Sequence, residues 1–131
     1  MRTLAVVTHK GQEFIEVTAA VTEVVRGSGI QEGICHLFVP HTTAAVTLNE
    51  NCDPDVVLDL VAILDRLVPS RGDYRHAEGN SDAHAKASLI GTATSIPVSL
   101  GTLQLGTWQG IWFCEFDGPR NRRLCVQVIG R

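Results

Sequence analysis

The sequence predicts a single α+β domain. Short apolar runs of strand composition fill both ends of the chain, and one strongly amphipathic helical stretch follows Asp53-Pro54. At 131 residues the whole chain, 1–131, is one ordinary domain with material for a real core, since 44% of it is hydrophobic.

Thr3–Val7 and Glu13–Val17 are β-rich and bracket the turn-like His9-Lys10-Gly11-Gln12, the pattern of a hairpin. Thr18 stands where a cap would open a short helix carrying Val21, Val24 and Val25, and Gly27 and Gly29 end it. Gly33–Val39 is a buried strand stopped by Pro40, and Ala45–Leu48 resumes as strand after His41-Thr42-Thr43. Asp53 as N-cap with Pro54 behind it opens the strongest helix, with Val56, Val57, Leu60, Ile63, Leu64 and Leu67 on one stripe and Pro69 as its stop. The polar, aperiodic Ser70–Asp82 is a long loop, and such loops in small domains often carry function. Ala83–Ile90 is a second short helix with Asp82 as its expected cap. Ile96–Leu100, Trp108–Phe116 and Leu124–Ile129 complete the set as strands.

No run of about 20 apolar residues is present, and the N-terminus lacks the pattern of a cleaved leader, so the expected location is cytoplasmic, with no membrane partner. A net charge of −3 gives no field for nucleic acid. Of the four cysteines, Cys35, Cys114 and Cys125 fall inside strands and Cys52 among polar neighbours; no CxxC spacing marks zinc or redox work.

Three segments concentrate chemistry. They are His41-Thr42-Thr43, Asn49-Glu50-Asn51-Cys52-Asp53, and Tyr74 through His84, all at strand ends, helix starts or loops, where scaffolds display ligand-binding groups. Histidines ligate metals and move protons near neutrality. His41, His76 and His84 sit on separate segments that only the fold can bring together, and each is equally an ordinary loop or helix-start residue. His9 and His36 fall in a turn and inside a strand. Asp53 and Asp82 are explained as helix caps; Glu50 is not, which makes it the candidate base. Gln109 and Glu115 share one face of a strand but are roughly 20 Å apart at about 3.3 Å per residue, so either one alone belongs to a site or the site lies between subunits. Gly118 to Arg123 is a turn with three guanidinium groups, suited to phosphate or to solvent alike.

These motifs resemble the YjbQ-like family. The matching residues are His41-Thr42-Thr43-Ala44, Asn49-Glu50, Tyr74-Arg75-His76, Asn80 through His84, the string Gly101 through Gln109, Glu115 through Arg120, and Arg123. The resemblance implies a mixed-sheet α+β fold, a homotrimer, a site around the histidines, and a secondary thiamine-phosphate synthase activity that joins a hydroxymethylpyrimidine diphosphate to a thiazole phosphate. Under that activity the pyrophosphate leaving group must be neutralised. Glu50 and His41 are then the catalytic candidates. Thr42, Thr43, Asn49, Asn80, Gln109, Arg120 and Arg123 would bind a small phosphorylated metabolite. His41, His76 and His84 would hold a divalent metal, zinc or magnesium, with a His-rich set suiting zinc better. Two other readings stand beside it: a metal-assisted hydrolase using a bound water, and a trimer that binds an anion or metal without turnover.

Overall fold

The structure is a computed structural model describing residues 1–131. The elements run β1 (Arg2–Val7), β2 (Glu13–Glu16), α1 (Thr18–Ser28), β3 (Glu32–Phe38), β4 (Ala44–Glu50), α2 (Pro54–Leu67), α3 (Ser81–Ile90), β5 (Ala93–Ser99), β6 (Thr102–Leu103), β7 (Gln109–Glu115) and β8 (Asn121–Gly130). They form two antiparallel sheets. The larger has the order β1-β8-β3-β5-β6, and the smaller β2-β7-β4. The mixed α+β architecture expected from the sequence is the one observed.

Alternation along the strands decides what fills the space between the sheets. Leu37, Leu124 and Val126 from the large sheet meet Val46, Ile111 and Phe113 from the small one, and Val21, Val24 and Val25 of α1 join the same core. The other face of the small sheet presents Ala45 and Cys114, and these pack with Phe116 against Leu64 of α2 and Ala83 and Ala87 of α3. Lys86 of α3 is buried yet paired: its Nζ donates to Asp65 of α2 at 2.5 Å and to Gln12 at 2.8 Å, tying both helices to the corner after β1. The outer face of the large sheet has no helix over it. There Ile34 faces both Pro97 and Ile129 across the register, and Val7, Ile34, Phe38 and Ile129 are exposed. No helix is long and apolar enough to cross a membrane.

Several sequence expectations are corrected. β1 and β2 are not a hairpin: β1 pairs with β8 and β2 with β7, so the chain changes sheets at the corner. Glu13 holds that corner by accepting the N–H groups of His9 and Lys10, a local pattern that a hairpin turn would share. Gly118 lets the β7–β8 turn press against it, because a Cβ there would lie 2.3 Å from the Lys10 carbonyl oxygen. Thr18 does not cap α1. Its hydroxyl donates to Glu16 and accepts the Ile111 N–H at 2.9 Å, fastening α1 to β7. Gly27 lies inside α1, while Gly29, at φ 70°, closes it. Asp53 caps α2 as expected, accepting from Asp55 N at 2.9 Å. The α2 stripe buries only Leu64, and Leu67 stays 69% exposed. In α3 Asp82 sits in the first turn, and Asn80 holds the N-cap position without a side-chain cap bond.

Candidate functional site

Four segments converge on one polar cleft. β3 ends at Phe38, and Pro40 offers no N–H with which to prolong it. The next residue, His41, turns its ring back onto β8 and accepts the Arg123 N–H at its Nε2, at 3.0 Å. Thr42 and Thr43 follow before β4 begins. The long loop brings His76 and Glu78, α3 with its N-cap brings Asn80 and His84, and the β7–β8 connection running into the start of β8 brings Asp117, Arg120 and Arg122. The cleft is about 470 Å³ and no hydrophobic residue lines it.

Within it, the rings of His76 and His84 meet edge to face with centroids 5.4 Å apart. Asp117 accepts from Asn80 Nδ2 at 2.8 Å and from Arg120 Nη2 at 2.9 Å. Burial pushes the Asp117 carboxyl up, but the hydrogen bonds from Asn80 and Arg120 outweigh it and hold the group below its ordinary value. Asn80 Oδ1 is buried and has no partner. Behind the wall lies a buried ion pair. Arg122 Nε and Nη2 donate to the two oxygens of Glu115, at 2.9 and 2.5 Å, and Nη2 also reaches Thr43 Oγ1 at 2.7 Å. Glu115 accepts in addition from Thr8 Oγ1 and from Asp117 N.

The His41 environment fixes its protonation. Burial first, then the Arg122 and Arg123 charges, hold it below the ordinary histidine value. A proton on Nε2 would also collide with the Arg123 N–H. His41 is therefore neutral, with its one hydrogen on Nδ1, a donor rather than a base or a ligand.

The structure brings together His41, His76, His84, Thr42, Thr43, Asn80 and Arg120 of the expected set. Asn49, Glu50 and Gln109 lie elsewhere in the chain. Glu50 closes β4, six residues beyond Ala44 and on the order of 20 Å from it, and pairs with Gln109 across the sheet. Its carboxylate accepts Asp53 N at 3.2 Å, so it does have a role at the start of α2. Asn49 Oδ1 accepts the Glu50 N–H, and Gln109 Oε1 accepts the Gly106 N–H. Arg123 contributes its main chain alone, because its side chain points to the outer face of the large sheet. Arg122, which sequence reasoning missed, points in. The parity of β8 carries that signal: Leu124 and Val126 are buried, so Arg122 shares their side and Arg123 does not.

The donors do not fit a zinc or magnesium ion. No three His, Cys, Asp or Glu side chains lie close enough to share a cation, the Nε2 of His41 is taken, and two guanidinium groups stand beside the cleft. Two of the thiols are no substitute, since burial raises Cys35 to about 11 and raises Cys114 further.

A family profile described as "UPF0047 protein YjbQ-like" matches residues 2–131. The chain belongs to the YjbQ-like UPF0047 family. It is 44% identical over 131 residues to the UPF0047 protein YugU of Bacillus subtilis, covering 99% of each chain. With a UPF0047 protein of Methanocaldococcus jannaschii it shares 46% over 123 residues, 94% of this chain and 89% of the other. Among solved structures, a YjbQ/UPF0047 protein from Clostridium acetobutylicum superposes with a TM-score of 0.97 at 48% identity, covering 98% of this chain and all of that one. A YbjQ-like protein of unknown function from Sulfolobus solfataricus gives 0.96 at 33%, covering 99% and 96%. The fold described above is thus the YjbQ-like fold throughout.

Proposed function

We propose that this protein binds a small phosphorylated metabolite in the polar cleft and catalyses a transfer in which pyrophosphate departs, the chemistry of a thiamine-phosphate synthase. The observation that carries the reading is a cleft without hydrophobic lining, where three histidines, two threonines and two arginines outnumber the carboxylates of Glu78 and Asp117. In the reaction the pyrimidine methylene carbon loses its C–O bond, the electron pair goes to pyrophosphate, and the thiazole nitrogen lone pair forms the new C–N bond. No base is needed for that step. What it needs is charge stabilisation on the leaving oxygens. Arg120 supplies the charge; the Nδ1–H of His41 and the hydroxyls of Thr42 and Thr43 supply oriented donors. Thr43 is free to donate because its oxygen already accepts from Arg122. His76 and His84 stand where a proton can meet the departing group. The donor set does not favour metal-assisted hydrolysis with Glu50 as base, since Glu50 is remote and no cation site is formed.

The same reading includes a homotrimer. An uncovered sheet face bearing Ile34 and Ile129, together with an α2 flank that leaves Leu67 bare, supports association between copies. Light scattering is expected to return three times the chain mass; a monomer at micromolar concentration would refute it. For the activity, pyrophosphate release is expected only when hydroxymethylpyrimidine diphosphate and thiazole phosphate are both present. Release from either compound alone would point to hydrolysis, and binding without release to a non-catalytic site.

A further inference from the structure

A second cleft of about 700 Å³ adjoins the polar one and shares Pro40, His41, Thr42 and His84 with it. Its character differs. Phe38 forms one wall, 44% exposed, while Val39 and Ala87, both nearly inaccessible, belong to its floor. Gly91 opens the far end, where an added Cβ would meet nothing within 4 Å. His41 and His84 therefore stand on the boundary between a polar compartment and an apolar one.

We infer that the two clefts are halves of one ligand site: the polar half takes a phosphate group, and the Phe38 half takes a flat, apolar body joined to it. This rests on the anion-binding reading above and adds what lies beyond the anion. A ligand spanning both halves carries its phosphate-to-body linkage past His41 and His84, the place where a donor to the linking oxygen is useful. The exposed Phe38 ring offers a face or edge for an aromatic body to pack against. A small ligand suits the recess better than a second protein copy, because the recess runs without a break into a compartment lined by polar side chains.

The test compares methyl phosphate with phenyl phosphate, two monoesters that differ only in their bodies, by isothermal titration of the intact protein. Phenyl phosphate is expected to bind about tenfold more tightly, the effect of removing roughly half a ring from water. Ser88 is exposed on the same cleft, so Ser88→Phe should fill the apolar half. That variant is expected to bind both esters equally, with methyl phosphate unchanged. Phe38→Ala is the independent variant and should reduce the phenyl advantage in the same selective way. Equal affinity of the two esters for the unmodified protein, or a phenyl advantage that survives both substitutions, would overturn the inference while leaving the anion site standing. Failure of both esters to bind would overturn the anion reading itself.

Discussion

Replacing Arg122 by methionine is expected to lower stability by about 3–5 kcal/mol at neutral pH, the usual result of stranding a buried charge. Glu115 is 0% exposed, and Arg122 is the one cation that touches it. Burial alone would push the Glu115 carboxyl up; the hydrogen bonds from Arg122, Thr8 and the Asp117 N–H more than offset this and leave it below its ordinary value. A carboxylate whose folded value is depressed adds stability above the unfolded value, and that stability is lost as pH falls through the folded one. In the variant the depression is gone, so the penalty should be largest at neutral pH and shrink in acid, as Glu115 takes up a proton. Arg122→Met combined with Glu115→Leu should recover most of the loss, because it removes both charges together. Urea denaturation at pH 7 and pH 4.5 measures all of this. A single-variant loss below about 1 kcal/mol at pH 7 would show that the pair does not hold the wall of the cleft.

His41→Ala is expected to reduce turnover by about 10²–10³, the scale of losing one oriented donor to developing charge. The accompanying stability change should be about 1 kcal/mol, since the Arg123 N–H loses its acceptor at an exposed position. The pH dependence has a definite sign. His41 is held below the ordinary histidine value of about 6.5, so the unfolded chain takes up its proton first. Its contribution to stability is complete above that value and declines as pH falls below it. Activity should therefore persist on the alkaline side, where a general base with a free imidazole would behave alike, but it should not require His41 to take a proton at any stage. Comparable turnover in His41→Ala would remove the residue from the chemistry.

Much of the fold is legible in local sequence because local physics decides it. Asp53-Pro54 specifies a helix start through its own cap bond, and the apolar Gly33–Val39 run marks β3, although only Cys35 and Leu37 of that strand are buried and Ile34 and Phe38 are exposed. Three of the four segments lining the cleft are likewise legible as strand ends, loops and a helix start. What escapes is set by long-range pairing. The residues around His9-Lys10-Gly11-Gln12 have hairpin chemistry, yet the two strands find better partners in β8 and β7, at the far end of the chain. Glu50 looked unemployed because an acceptor bond to Asp53 N, three residues on, leaves no mark on composition. Arg122 and Arg123 differ only in parity, and parity becomes readable once the register of β8 is anchored on Leu124 and Val126.

The five histidines supply the most direct test of the central claim, that the cleft is an anion site organised by His41, His76 and His84. His36 is bonded to Ser95 on the outer sheet face and His9 lies at the corner after β1, so both serve as controls within the same molecule. Imidazole nitrogen spectra recorded during a titration with pyrophosphate report all five at once. Saturable shifts are expected for His41, His76 and His84, none for His9 and His36, and a His41 pattern with the hydrogen on Nδ1 throughout. Shifts of equal size at all five rings, or no saturable shift at the three cleft rings, would contradict it.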